Sequence, residues 1–360
     1  MAKLAPENLE YMPELGPQNY AGIDGYYRST GDLTTESRAR AASLSIKAAE
    51  AAKFIAAGFI DMHAGSQTVA TSNGLFAYHS GTGVASTLTV RTPDGLSSGW
   101  AGDEGSDWNT IESDRIAQDA VEKCRQWRGK TVLDPGKYEV VLEPTAVGML
   151  MLRMMNVFDA RQADEGRSFF SKRGGGNRLG ERLFDERITI LNDPAEKNAE
   201  TSPFTPSGQP LQREAWVDKG ILKTLSYSRF WASRQGVPPK PGASNLIMSG
   251  GDAGVDDMIK ATKRGVLITR FWYIRPLNPR IVSFTGLTRD GTFLIENGKI
   301  ARPVTNFRFN QSLADLLAKV EMLGRPTRVC ASEDSTVGPP ALVPALKVKE
   351  FYLSSVSDAI

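Results

Sequence analysis

Residues 140–155 read VVLEPTAVGMLMLRMM. Tyr138–Leu142 form an apolar run of the length of a buried strand. Pro144 suits the first turn of a helix, where a missing amide costs nothing. The stretch therefore predicts a strand feeding a helix that ends near Asp159. Many enzymes place catalytic groups at such a junction. Yet from Pro144 to Leu152 no side chain binds a metal tightly or moves a proton. A helix in that position without chemistry needs another purpose.

Working outward, a domain boundary is expected near LDPGKY at 133–138, giving three parts: an extended lead-in over 1–20, a central domain over 21–132 and a C-terminal domain over 133–360. In the central part, Ala41, Leu44, Ala48, Ala51 and Ile55 recur at helical spacing, predicting a helix over Thr35–Ala57 stopped by Gly58. Strands follow at FIDMH, GLFAYHSG and STLTVRT, with a turn at Pro93–Gly95, and a second helix over Asp107–Trp127. Beyond the quoted stretch, RSFFSKRGGGNRLGERLFD (167–185) reads as a basic, glycine-rich loop. REAWVDKGILKTLSYS and TFLIENGKIARPV read as hairpins, the second turning at Asn297–Gly298. Helices are expected over Asp256–Lys263 and Ser312–Leu323, the latter stopped by Gly324, and LKVKEFYL is a last strand. The class is α+β: a small α/β central domain followed by a large antiparallel β-rich C-terminal domain with peripheral helices.

Composition narrows the function classes. The 360 residues are 41% hydrophobic and 23% charged, with a formal net charge of +2, so no global electrostatic case exists for nucleic acid or membrane. The 34 glycines and 20 prolines fit a turn-rich, strand-rich chain. The two cysteines, Cys124 and Cys330, lie far apart, which argues against a disulfide framework and fits a reducing cytoplasm. The N-terminus has no apolar signal core, and no run is long enough to span a bilayer.

Four motifs invite chemistry, each with a plainer reading. Gly95–Gly99 matches G-x-S-x-G, but both histidines, His63 and His79, precede it and no strand-to-helix elbow surrounds it. A polar hairpin is the plainer reading. His63 and His79, with Asp61 two residues from the first, flank a hairpin and can meet as metal ligands, though a site needs a third donor; sheet-face histidines are the alternative. Arg173, Gly174, Gly175, Gly176 and Arg178 can cradle an anion or a peptide, without matching a phosphate-loop spacing; a surface loop is the alternative. Cys330 lies near Arg325 and Arg328, which favour a thiolate, against a structural cysteine.

Taken in order, TSNGLFAYHSGTGVASTLTVRTPDGLSSGWAG, YEVVLEPTAVGMLM, LGERLFDERITILND, GQPLQREAWVDKGILKTLSYSRFWASR, GTFLIENGKIARPVTNFRFNQS and PALKVKEFYLS resemble the blocks of the TldD/PmbA family, the so-called modulators of DNA gyrase. The resemblance runs from about Gly22 onward. It implies one of two kinds of member. TldD-type subunits are metalloproteases with an HExxxH motif on a helix and a distant cysteine as a further zinc ligand. TldE-type (PmbA) subunits lack that motif and pair with a TldD-type subunit, and together they cleave unstructured peptides and trim leader peptides. Anchored on Ala146–Gly148, the resemblance puts Pro144 and Met149 at the two histidines and Thr145 at the general base, with Cys330 at the ligand cysteine. Proline has no lone pair to give, threonine is no base near neutral pH, and a thioether is a poor zinc ligand. Met149, Met151, Met154 and Met155 then read as packing, in the core or at a subunit interface.

The implied protein is a cytoplasmic, non-catalytic TldE/PmbA-type subunit of a metallopeptidase complex. It has no catalytic or metal residues of its own and no cofactor, zinc residing only in a TldD-type partner. Its partners would be that homologous subunit or a second copy, and an unfolded peptide, with no membrane and no direct nucleic acid. The alternatives are an autonomous metallopeptidase using His63, His79 and Cys330, and a non-enzymatic binding or regulatory protein. Family members carry a further segment before the central domain, whereas Met1 here falls just before it; a short member and a late-assigned start both fit.

Overall fold

The helix expected over Thr35–Ala57 ends six residues earlier than its spacing predicts, and strand pairing takes over soon after it. In the computed structural model that helix spans Thr35–Ala51, with Thr34 accepting from the Ser37 amide at its N-terminus. Lys53 then adopts a left-handed φ of 59°, and the chain turns into a strand at Ile55. Gly58 is thus no helix stop. It lies inside the strand, where a Cβ would meet the Thr87 carbonyl at 2.8 Å. The structure describes residues 4, 6–334 and 336–358. Positions 1–3 and 5 of the expected lead-in, Ser335 of RVCASEDS and the last two residues lie outside the described residues.

The three short strands expected next belong to longer ones. Ile55–Ala70 and Phe76–Arg91 pair antiparallel along their whole length, and Ser98–Gly105 adds to the second. The second helix begins later than expected, at Ser113, after a single 3₁₀ turn over Trp108–Thr110. Both helices cover one face of this sheet, burying Ala49, Leu88, Val90, Ala101, Ile116 and Ala120 together. The other face, carrying Ala85, Trp100 and Glu104, turns toward the rest of the chain.

That remainder is built on two sheets. In the larger, Ser283–Glu296, Asn306–Ser312, Leu346–Ser357, Gly136–Leu142 and Arg264–Asn278 pair in turn, and the last pairs back onto the first. Phe271, Phe309 and Phe351, all fully buried, meet with ring centroids 4.8–5.7 Å apart. The smaller sheet runs from Thr327–Val329 through Ala341–Val343, Leu246–Met248, Ile190–Asn192 and Glu214–Asp218 to Ile221–Leu222. Pairing is mostly antiparallel. Gly136–Leu142 beside Arg264–Asn278, and Ala341–Val343 beside Leu246–Met248, are parallel.

The helix of the opening stretch is Pro144–Met155. It is not peripheral. It lies against Arg264–Asn278 of the larger sheet and against Thr327–Val329 and Ala341–Val343 of the smaller. Seven of its twelve residues are buried, which explains an apolar sequence with little amphipathic contrast. It stops at Met155, and Asp159, taken as its end, instead caps a separate helix over Ala160–Asp164 by accepting from the Gln162 amide. Two further helices are shorter than expected. Val255–Lys260 ends three residues early, and Leu313–Ala318 gives way to a strand, Val320–Leu323, that pairs with the last strand. The Asn297–Gly298 turn forms as expected, with φ of 50° and 76°. Among the described residues no helix is long and apolar enough to cross a membrane.

Candidate functional site

The seam between the central sheet and the remainder of the chain holds most of the buried charge. Ser98 Oγ donates to Asp290 Oδ1 at 2.7 Å, and Asp290 pairs with Arg270 at 3.3 Å. The Arg270 guanidinium lies 4.3 Å from the centre of the Trp100 ring. Glu104 accepts from Arg328 at 3.1 Å and from the Gly338 amide at 3.3 Å. Burial pushes the Glu104 carboxyl up to about 7, with the Arg328 charge opposing the shift. These groups are neighbours because Ser98, Trp100 and Glu104 alternate along one strand face.

One cavity opens along this seam and a second lies beside it within the C-terminal part, and Gly338 lines both. The first, about 390 Å³, lies over the glycine-rich part of the long hairpin, with His63, Gln67, His79, Glu200, Thr201 and Arg328 among its walls. The second, about 280 Å³, is bounded by Met149, Arg153 and Met155 of the Pro144 helix and by Ser244, Asn245 and Glu333. Glu333 is tied down by the Ile274 amide at 2.6 Å, Arg275 at 3.1 Å and Arg153 at 3.3 Å. Asn192 and Asn245 order the adjoining wall. Asn192 Oδ1 accepts from the Ser244 amide at 2.7 Å, and Asn245 Nδ2 donates to the carbonyls of Asp193 and Ala199, each at 2.6 Å. Neither asparagine stood out in the sequence, because an asparagine beside a strand is also an ordinary turn residue.

The residues singled out by sequence do not converge on one centre. Pro144 opens its helix and is half-buried, as is Thr145. Met149, Met151 and Met154 are core residues, whereas Met155 is half-buried at the second cavity. His63 and His79 do line one cavity and share a sheet face. They stand opposite Gly83 and Gln67 respectively, so four strand positions, or about 13 Å, separate them. Asp61, on the same face, accepts from the Val337 amide at 3.0 Å. Burial holds the His79 imidazole below its ordinary value. Ser97, the serine of the G-x-S-x-G match, donates to the Cys124 carbonyl at 2.6 Å and is buried.

Cys330 sits in surroundings that disfavour a thiolate. It packs with Ala85, Trp100 and Val337, and burial, reinforced by the Glu104 charge, pushes it up to about 12. Arg328, expected to favour a thiolate, is spent on Glu104. The flanking residues Val329 and Ala331 face the helix instead, 2.7 and 3.2 Å from where a Cβ on Gly148 would stand. Zinc does not fit this donor set. Proline offers no donor, a thioether is a poor zinc ligand and threonine is no base near neutral pH, and a lone cysteine does not supply the three or four ligands that zinc needs. Among the described residues no three His, Cys, Asp or Glu side chains stand together as a metal site.

Residues 135–350 match the PmbA/TldA metallopeptidase C-terminal domain, and residues 26–125 match the central domain of the same proteins. The chain belongs to the PmbA/TldD family. It is 27% identical over 164 residues to a metalloprotease TldD homolog of Buchnera aphidicola, covering 41% of this chain and 33% of that one. It is 24% identical over 213 residues to a metalloprotease of Methanothermobacter thermautotrophicus, covering 54% and 44%. The matches thus span less than half the length of these curated relatives. TldE from Thermococcus kodakarensis has the same fold, with a TM-score of 0.81 at 17% identity over 98% of this chain and 81% of that one. So has a protein from Thermotoga maritima named as a modulator of a DNA gyrase, with a TM-score of 0.82 at 20% identity over 95% and 79%.

Proposed function

We propose that this chain is a TldE/PmbA-type subunit that binds extended polypeptide beside the seam and supports a zinc-bearing TldD-type homologue, without cleaving peptide bonds itself. The observation that carries the reading is the chemistry of the Pro144 helix. Its frame is that of a metallopeptidase family, but Pro144, Thr145 and Met149 offer neither ligands nor a base. Of the glutamates that line the cavities, Glu333 is engaged by arginines and a backbone amide, and Glu200 accepts from the Tyr27 and Ser106 hydroxyls at 2.7 and 3.3 Å.

What remains is binding. Ile55–Ala70 is an edge strand, and its residues His63, Gly65, Ser66 and Gln67 border the larger cavity. An unpaired edge offers main-chain donors and acceptors to an extended peptide, which gives affinity with little demand on sequence. That suits a subunit presenting unstructured or leader peptides to a catalytic neighbour.

The test combines elemental mass spectrometry with a peptidase assay on an unfolded peptide, first on the purified chain and then after co-expression with a TldD-type homologue. The chain alone should carry no stoichiometric zinc and cleave nothing. With the homologue it should co-purify and show chelator-sensitive cleavage. Near one zinc per chain, or an inert monomer that ignores every TldD-type homologue of its source, would sink the proposal.

A further inference from the structure

The basic glycine loop is folded, and it builds one wall of a cleft away from the seam. Ser171 and Asn177 face each other across a small hairpin, closed by Lys172 N–H to the Gly176 carbonyl at 3.0 Å and Arg178 N–H to the Phe170 carbonyl at 2.8 Å. Asn177 anchors its base, donating to Asp164 at 2.7 Å and to the Tyr227 hydroxyl at 3.1 Å. At the tip, Gly174, Gly175 and Gly176 take φ of 91°, 112° and 77°, and a Cβ on any of them would meet nothing within 4 Å. These glycines serve backbone conformation rather than packing. Among the described residues the amides of Gly174 and Gly176 have no protein acceptor.

The cleft encloses about 800 Å³, and its charged lining is Lys172, Arg173, Arg178 and Arg280 against a single carboxylate, Glu181. Glu181 is already shared by Arg178 at 2.8 Å and Lys172 at 3.6 Å. Arg173 and Arg280 are exposed, come from separate segments, and have no carboxylate partner among the described residues. Phe169 lies beneath Arg178, 5.0 Å from it, and Ile281 at the rim is 50% exposed. Such a surplus of positive charge is local, since the whole chain carries only +2.

We infer that this cleft receives an acidic, extended segment of polypeptide, with carboxylates at Arg173 and Arg280 and an apolar side chain against Ile281. A single small anion does not fill a cleft of about 800 Å³ whose cations are spread over two segments of the chain. A chain with carboxylates at intervals matches that spread, and the open glycine tip lets its main chain approach the free amides. The inference does not depend on the proposed function, since it requires neither zinc nor a TldD-type subunit.

The test is fluorescence anisotropy at low salt with a labelled flexible peptide of alternating Gly and Glu containing one Leu, beside a copy with Gln for Glu. The Glu peptide should bind, and the Gln copy should bind at least about tenfold more weakly. The double variant Arg173→Glu, Arg280→Glu should lose about tenfold or more, whereas the remote exposed Lys47→Glu should change nothing. Both arginines are exposed, so the double variant should melt with the parent protein. Equal binding of the two peptides, or an unaffected double variant, overturns the inference. So does a cleft that takes inorganic phosphate or phosphatidylserine vesicles, in a manner lost in the double variant, while ignoring the Glu peptide.

Discussion

Glu104 and Arg328 meet at 3.1 Å in the interior, joining the central sheet to the smaller sheet of the C-terminal part. Glu104 is 1% and Arg328 14% exposed at the side chain, so the carboxylate has no water to fall back on. Arg328→Met leaves the carboxylate without its cation. We expect a loss in urea denaturation that grows as pH rises from 6 to 9 and reaches about 3–5 kcal/mol where the Glu104 carboxyl is ionised in the parent. A loss below about 1 kcal/mol would mean that the pair is dispensable.

The same carboxyl gives a pH signature. Glu104 titrates at about 7 in the folded chain against 4.5 ordinarily, so between those values the folded state holds a proton that the unfolded state has released. Stability from this group is greatest below 4.5 and falls as pH rises through 7. Glu104→Gln does not titrate. The stability of the variant relative to the parent should therefore rise across that window by on the order of 2–3 kcal/mol, measured as urea midpoints at a series of pH values. A flat difference would show that the carboxyl is ionised throughout.

Gly148 lets the Pro144 helix close on the smaller sheet. Adding a methyl would bring a carbon within 2.7 Å of Val329 Cγ2. Gly148→Ala gains helix propensity but overpacks this contact, and the second effect should dominate, with a net loss of about 1–3 kcal/mol. A variant as stable as the parent would indicate that the sheet yields.

Met149 separates core from interface. It is 2% exposed within a single chain. Met149→Ala should cost about 2–5 kcal/mol and Met149→Leu less than about 1.5 kcal/mol, with oligomeric state unchanged in both by light scattering. A change of assembly without loss of stability would place this methionine at a subunit contact.

Both thiols should be silent. Cys124 is fully buried and Cys330 1% exposed, and burial raises both. A disulfide reagent such as DTNB should label neither in the native protein at pH 8 and both in denaturant. Rapid labelling of one thiol in the folded chain would contradict the packing of that residue.

Much was legible in the sequence because it rests on local chemistry. Side chains that are poor zinc ligands and no bases near neutral pH, such as those of Pro144, Thr145 and Met149, remain so in any fold. The turn at Asn297–Gly298 and the strand at Tyr138–Leu142 follow from backbone preference and apolar runs. Helix ends were less legible. Gly58, and Gly324 after Ser312, look like helix stops, but strand pairing outcompetes helical spacing once Ile55 finds Arg91 and Val320 finds Val348. Only the tertiary structure decided that Cys330 turns toward Trp100 while Val329 and Ala331 meet the helix. It also spaced His63 and His79 along one sheet face, and assembled Glu104, Arg328, Asn192 and Asn245 around the seam. Those relations join residues far apart in the chain, and burial, which sets their charge states, belongs to the packed whole rather than to any segment.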